Sequence, residues 1–445
     1  MAVLLPSTTI FVLLLEVAWA SHQCSWDPSE AVLQCSIAWQ KSHPTTLAFS
    51  KHQREATSTL QIFCTENEND DHVQEAEKRK RLSVDYDSDR RQRQRDNNLW
   101  PHLKSLHVQN CPLNAIDIAL KGRQHRVRGD VLHDVIKPML GGRSLSGLRH
   151  LALVNATTTA GARGQVDFSS SLWCEVGSNL VSLNLSSNGL AVVPTSSPCK
   201  HGYQHLEVLN LSDNVMTDLD GSAASGSFTT QLLAPSLTHL DVSKNRLQVF
   251  KLPKNMSRLK FVDVSDNKLT SSWIEAVSAS AATLQELHAQ GNQMEWLPNL
   301  SAATPTGDGG GGRAAESVIN FDNLVVLNLS RNAISQSSDS SSSNLGGHLV
   351  SGFKALVALD LSHNKMSSVD GHLFRDLSSL QVLSLAHNQL VELRPDSLAK
   401  LTRLHVLVLS HNNLDENGLA DGILRHLADL RSLSLDHNRL KSLPR

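Results

Sequence analysis

Four histidines near the carboxyl end recur at intervals of 24 to 26 residues, and each is followed directly by an asparagine. They are His363, His387, His411 and His437. If each interval forms one structural repeat, the four imidazoles lie in a column with neighbours about 5 Å apart. Imidazole titrates near physiological pH, so protonation near pH 6 would build up repulsion in such a column. One hypothesis is therefore a pH-sensing column.

The four histidines have two other interpretations. Imidazole is also a common metal ligand, but we expect no carboxylate or thiol beside the column, so the sequence predicts no metal site. Alternatively, histidine is simply a frequent filling of this solvent-edge position.

The elements that position the histidines are copies of L-x-x-L-x-L-x-x-N-x-L, which begin at Leu356, Leu380, Leu404 and Leu430. Their interval is the leucine-rich-repeat period. The L-x-L segment predicts a strand that buries its leucines, and the asparagine amide can satisfy backbone groups at the following turn. We predict an α/β solenoid: a leucine-rich-repeat horseshoe with a parallel β-sheet on its concave face and an irregular or short-helical convex side.

Earlier copies predict about twelve repeats over residues 99–445. They begin at Leu103, Leu148, Leu180, Leu206, Leu237, Leu259, Leu284 and Leu324. Cys111 and Ala156 replace the asparagine in the first two copies. Low-complexity Gly- and Ser-rich stretches near 302–316 and 335–347 predict flexible loops.

Three segments precede the repeats. Residues 1–20 contain a short apolar run with an A-x-A-like end, which predicts a signal peptide. Residues 21–65 contain three cysteines and predict an N-terminal cap. Residues 66–98 are dense in charge and predict a disordered insertion. Within it, Arg90 and Arg93 fit a proprotein-convertase site, and the alternative is a solvated loop.

Six cysteines fit an oxidising compartment and allow 15 connectivities. Stacking of adjacent units favours one of them, since equivalent positions of neighbouring coils lie close enough for a disulfide. The predicted pairs are Cys24–Cys35, Cys64–Cys111 and Cys174–Cys199.

N-glycosylation sequons occur at Asn155, Asn184, Asn210, Asn255, Asn299 and Asn328. Asn184, Asn210 and Asn328 lie between core leucines, so they are predicted to project from the concave face. Glycans there would direct a protein partner to a flank, the N-terminal end, or the concave face of the last repeats. The alternative is that Leu-Asn-Leu-Ser is merely a common filling of the repeat.

Composition and motifs exclude several functions. The net charge of −2 makes no case for nucleic-acid binding. No catalytic constellation or cofactor motif is found, so the chain is not expected to be an enzyme. The tripeptide from Arg128 to Asp130 matches an integrin-type motif, but three residues match frequently by chance.

The amino-terminal third carries a more specific pattern. Cys24 and Trp26, the segment ending at Cys64, the first repeat with Cys111-Pro112-Leu113, and the degenerate repeat at Leu148 follow one another in order. This order resembles the start of arthropod Toll receptor ectodomains, and is most similar to Tollo-like members with long ectodomains.

The resemblance implies an extracellular ligand-binding ectodomain that dimerises and signals in innate immunity or development. Its partner would be a Spätzle-like cystine-knot protein or a microbial surface molecule. The last repeat has no cap after it, so we expect the coil to continue beyond it. The resemblance implies that a membrane span then follows and places the receptor at the cell surface. The alternative is a secreted leucine-rich-repeat adhesion, matrix or decoy protein.

Overall fold

The structure is a computed structural model, and it describes thirteen segments of the chain. These are residues 22–27, 29–39, 56–66, 102–110, 146–156, 171–191, 203–220, 232–295, 321–335, 353–369, 373–394, 396–419 and 422–442. The predicted signal peptide, the predicted charged insertion beyond Glu66 with Arg90 and Arg93, the motif at Arg128 and nearly all of the two low-complexity loops lie outside them.

Nineteen short strands are described, and fifteen of them form one sheet. The strands are β1 (His22–Asp27), β2 (Val32–Trp39), β3 (Thr59–Glu66), β4 (Ser105–Gln109), β5 (His150–Val154), β6 (Ser182–Asn184), β7 (Val208–Asn210), β8 (Asp218–Asp220), β9 (His239–Asp241), β10 (Val249–Lys251), β11 (Phe261–Asp263), β12 (Glu286–His288), β13 (Val326–Asn328), β14 (Ala358–Asp360), β15 (Ser368–Val369), β16 (Val382–Ser384), β17 (Glu392–Leu393), β18 (Val406–Val408) and β19 (Ser432–Ser434).

The large sheet follows chain order and omits β8, β10, β15 and β17. Strands β1 and β2 are antiparallel, and every later pair in this sheet is parallel. The omitted strands form two small parallel pairs, β8 with β10 and β15 with β17.

Each three-residue repeat strand of the large sheet is centred on a leucine or valine of the L-x-L segment, and these residues stack in register. Leu359 lies opposite Leu383, which lies opposite Leu407. All three are at most 2% exposed. Burial of each such side chain stabilises the fold by about 1.5–3 kcal/mol. The core is thus one continuous row of aliphatic residues, as expected for stacked repeats.

Among the described residues, the other side of the coils holds little regular structure. The described residues contain one α-helix, α1 (Ser171–Gly177), and one 3-10 helix, Ser271–Ser280. Fully buried Trp173 on α1 accepts a hydrogen bond at its carbonyl from the Tyr203 hydroxyl, at 3.1 Å. This architecture confirms the predicted leucine-rich-repeat horseshoe.

The amino-terminal unit adds an antiparallel hairpin to the parallel sheet, with Cys24 directly opposite Cys35. Cys64 lies in β3, and β3 pairs with β4. Strand β4 ends shortly before Cys111 in the sequence. Cys174 is disulfide-bonded. Cys111 and Cys199 lie outside the described residues, so the three proposed pairings stay a prediction.

The last described repeat is less buried than its predecessors. Leu404 and Leu407 are fully buried, whereas Leu433 and Leu435 pack only partly against the core. The sequence-based expectation of a continuation beyond this repeat stays a prediction. Within the described segments, no helix combines the length and apolarity needed to cross a membrane.

Candidate functional site

In each repeat, the residue before the structural asparagine, or before the Cys111 or Ala156 that replaces it, forms a column along the turns that follow the strands. We call this column the turn column. Its members are Asn110, Asn155, Ser187, Asp213, Lys244, Asp266, Gly291, Arg331, His363, His387, His411 and His437. All twelve have φ between 46° and 68°. This left-handed conformation disfavours most side chains, but asparagine, aspartate and histidine tolerate it better than others.

The left-handed turn lets each backbone N–H reach the next repeat. The amides of His363, His387 and His411 donate to carbonyls of the following coil at 2.9 Å. In the last of these bonds, the acceptor is the carbonyl of Asp436. The backbone requirement therefore gives histidine at this position a structural reason that is independent of its titration.

The structural asparagine that follows the turn residue hydrogen-bonds to the backbone of the preceding coil and so links two coils. Asn412 is 7% exposed. Its Oδ1 accepts a hydrogen bond from the amide of Leu390 at 3.1 Å, and its Nδ2 donates to the carbonyl of Leu385 at 2.9 Å. Asn438 makes the same bonds to Leu414 and Leu409. The backbone that carries the histidines is therefore held firmly on both sides.

The four imidazoles stack face to face. Successive ring centroids from His363 to His437 are 4.0 Å apart, with interplanar angles of 10° to 12°. This spacing is closer than the roughly 5 Å expected from strand separation. His411 is half-buried inside the stack, and the other three rings are exposed.

A carboxylate ends the stack. The Oδ2 atom of Asp436 lies 3.0 Å from Nδ1 of His437. The expectation of no carboxylate beside the column was therefore wrong, because the turn at the end of β19 places two consecutive side chains at the same edge. One ligand atom each from His411, Asp436 and His437 lies within 4.8 Å of the other two.

The charges in this cluster affect one another. Partial burial lowers the pKa of His411, and the neighbouring imidazoles of His387 and His437 lower it further when they are charged. Asp436 acts in the opposite direction on His411. The hydrogen bond with His437 lowers the pKa of Asp436. The pH-sensing hypothesis for the column stays a prediction.

Side chains also contact one another elsewhere in the turn column. Asn155 Nδ2 donates to Asn110 Oδ1 at 3.1 Å. Asp266 and Arg331 form a 2.9 Å ion pair that spans the intervening repeat. That repeat has Gly291 in the column, and a Cβ atom there would come within 2.2 Å of Asp266 Oδ1. The absence of a side chain at Gly291 is what allows the ion pair.

The concave face changes character along the sheet. Its carboxyl-terminal part carries an aliphatic row: Val326, Ala358, Val382 and Val406 are consecutive partners in register. Val382 is 38% exposed and the others are half-buried. Four strands at the usual spacing make this row about 15 Å long.

The middle of the concave face is aromatic and acidic. Phe261 lies between His239 and His288, with ring centroids 5.9 and 5.4 Å away. Beside this group, partial burial raises the pKa of Asp263, and the nearby charge of Asp241 raises it further. The concave surface is therefore polar in its middle and apolar near its carboxyl-terminal end.

Three sequon asparagines have a structural role of their own. Oδ1 of Asn184, Asn210 and Asn328 accepts a hydrogen bond from the amide of the serine two residues later, at 2.8 to 3.1 Å. Asp241 and Asp360 make the same bond. This explains why Leu-Asn-Leu-Ser recurs, yet glycans attach at Nδ2, so modification at these sites stays a prediction. Of the remaining sequons, Asn155 and Asn255 are exposed and Asn299 is outside the described residues.

Comparisons with known proteins agree with the repeat geometry. Residues 354–414 match a family model described as leucine rich repeat, and residues 204–223 match a second leucine-rich-repeat model. No curated protein sequence matches the chain. The chain therefore has a leucine-rich-repeat fold, which presents an extended concave surface suited to protein binding.

Several solved structures are similar at low identity. An internalin from Listeria monocytogenes is 17% identical with a TM-score of 0.45, over 77% of each chain. A chain of the LRIM1/APL1C complex is 19% identical with a TM-score of 0.47, over 77% of this chain and 54% of that chain. A chain of the PEPR1–AtPEP1 complex is 22% identical with a TM-score of 0.43, over 66% of this chain and 36% of that chain. The chain thus spans only part of the last two, and the likeness concerns the fold alone.

Two features of the surface were missed by sequence reasoning. The aliphatic row joins residues that are 24 or more positions apart, and only the strand register brings them together. The carboxylate of Asp436 was adjacent to His437 in the sequence, and the dipeptide Asp-His at the end of the last repeat was the signal that could have found it.

Proposed function

We propose that the chain is the extracellular ligand-binding ectodomain of a Toll-like receptor of the arthropod type. In this role it binds a Spätzle-like cystine-knot protein or another protein or microbial ligand, and takes part in innate immune or developmental signalling. The proposal rests on the ordered motifs of the amino-terminal third and on the concave surface of the last repeats. It implies a secretory-pathway protein that reaches the cell surface and forms a receptor dimer.

The aliphatic row is the observation that carries the binding part of the proposal. Valine side chains on a sheet face normally pack against another element, whereas Val382 remains 38% exposed. Val406 and Val408 continue the surface on the next strand. A contiguous, partly exposed apolar surface of this kind supports contact with another protein.

The positions of the sequons favour the same region. Asn184 and Asn210 lie on the concave side of β6 and β7, and Asn328 lies on β13. No sequon follows Asn328 in the sequence. Glycans at these three sites would leave strands β14, β16 and β18 accessible to a protein ligand.

Binding of the full chain to a purified cystine-knot protein tests the proposal, with Val382→Asp as the test variant. Placing a charge in the centre of a desolvated apolar contact should weaken binding about tenfold or more. Val391→Asp is the matched control, since Val391 is 54% exposed and lies outside the large sheet. Equal effects of the two variants would contradict the use of this face.

The same titration separates the two function classes. Saturable binding to the cystine-knot protein or to microbial cell-wall material supports the receptor. Binding to matrix proteins alone would instead favour a secreted adhesion or matrix protein. Sequencing the transcript beyond the codon for Arg445 distinguishes a receptor with a span and signalling domain from a secreted decoy.

A further inference from the structure

We propose that His411, Asp436 and His437 form a binding site for a borderline divalent transition metal ion such as Zn²⁺. The three residues come from two adjacent turns, one after β18 and one after β19. Their ligand atoms lie within 4.8 Å of one another. Two imidazoles and one carboxylate are a donor set that Zn²⁺ uses with water as the fourth ligand.

The two turns are fixed relative to each other before any metal arrives. The His411 amide donates to the Asp436 carbonyl at 2.9 Å. Asn438 bonds back to the coil of His411, since its Nδ2 donates to the carbonyl of Leu409 at 2.9 Å. The Cα positions that carry the three ligands are therefore preorganised, which lowers the entropic cost of assembling them.

Only the side chains must adjust. A tetrahedral shell with bonds near 2.0–2.2 Å keeps its donors about 3.3–3.6 Å apart. The donor atoms begin at most 4.8 Å apart. Stacked imidazoles cannot both direct a nitrogen lone pair at one ion, so the His437 ring must rotate out of its stack with His411. The side chains of Asp436 and His437 are 60% and 68% exposed, which leaves solvent space for this rotation.

The carboxylate distinguishes this end of the stack from the rest. His363 and His387 stack as closely as His411 and His437, at 4.0 Å between ring centroids. Among the residues that the structure describes, the group at His411, Asp436 and His437 is the one that brings three ligating side chains together. The site is therefore expected at the end of the column that Asp436 closes.

Zn²⁺ titration of the full chain, followed by calorimetry and by metal content after dialysis, tests the site. The expected result is one saturable site whose affinity falls about tenfold or more in His437→Asn and in Asp436→Asn. Co²⁺ as a substitute ion should give visible absorption with His and carboxylate ligation. Asparagine is chosen at position 437 because it tolerates the left-handed turn, where φ is 56°.

His363→Asn is the matched control, because His363 has φ of 54° and occupies the same position of its repeat at the other end of the stack. It should leave Zn²⁺ affinity unchanged. The site is refuted if the wild-type chain binds no Zn²⁺, or if His363→Asn weakens binding as much as His437→Asn does. Unchanged binding in Asp436→Asn, whose side chain is largely exposed and tolerant of substitution, would also refute it.

Discussion

Replacing Asn388, which is buried at 7% exposure, by alanine should strongly destabilise the carboxyl-terminal repeats of the solenoid. The Oδ1 atom accepts a hydrogen bond from the amide of Met366 at 3.1 Å. The Nδ2 atom donates to the carbonyls of Leu361, Leu385 and Ala386 at 2.9, 3.1 and 3.2 Å. One side chain therefore satisfies backbone groups of two consecutive coils.

The cost of Asn388→Ala depends on which of these groups keeps another partner. The Leu361 carbonyl keeps a bond from Asn364 at 3.0 Å, and the Leu385 carbonyl keeps one from Asn412 at 2.9 Å. The Met366 amide loses its side-chain acceptor inside the core. A buried unsatisfied donor costs about 1–3 kcal/mol, and with the net worth of the lost bonds we expect a total of about 2–4 kcal/mol.

Hydrogen exchange measures this loss locally, which suits a solenoid whose repeats can open separately. The Met366 amide should exchange about thirtyfold faster for a loss of 2 kcal/mol, since each 1.4 kcal/mol is a factor of ten. Asn438→Ala is the control, because Asn438 makes equivalent bonds but is only partly buried. Its effect should be markedly smaller.

Equal destabilisation by Asn388→Ala and Asn438→Ala would contradict the expected effect of burial. Exchange of the Met366 amide at the wild-type rate in Asn388→Ala would contradict the expected loss of its buried hydrogen bond. The first outcome would mean that burial does not set the contribution of these asparagines. The second would mean that water replaces the side-chain amide without cost.

Three further changes test other parts of the molecule. Gly291→Ala should cost about 1–2 kcal/mol in urea unfolding, since φ is 68° and the new Cβ displaces Asp266; unchanged stability would contradict the steric argument. Tyr203→Phe removes the 3.1 Å bond to the Trp173 carbonyl and should cost about 1 kcal/mol, so a more stable variant would show that the bond contributes nothing. Burial raises the pKa of Asp263 in the folded protein. The stability that this carboxyl group contributes is therefore present below its unfolded pKa and is lost as the pH rises through the folded pKa. Asp263→Asn should be more stable than wild type at pH 7, and parallel urea titrations should show that this advantage vanishes at acidic pH.

The repeat period and its residue types were enough to predict the fold class. Leucines at fixed offsets imply a strand that buries one face, and only stacking of neighbours can cover a row such as Leu359, Leu383 and Leu407. The role of Asn388 also follows from chemistry alone, since a turn inside a core needs a side chain with both donors and acceptors. These conclusions are local and repeat along the chain.

The sequence likewise placed the four histidines in one column, because identical offsets in identical coils superimpose. It did not indicate the left-handed backbone of the column, the 4.0 Å ring spacing, or the contact of Asp436 with His437. Those features depend on the turn geometry after each strand, which the consensus pattern of the repeat does not specify.

Tertiary structure alone decided which distant residues meet. The ion pair of Asp266 and Arg331 skips one repeat, and it forms because Gly291 leaves the space between them open. The aliphatic row through Val382 and Val406 exists only in the register of the assembled sheet. The physical reason is the same in both cases: the repeat sets the shape of a single coil, whereas surface chemistry arises from side chains that only stacking brings within contact distance.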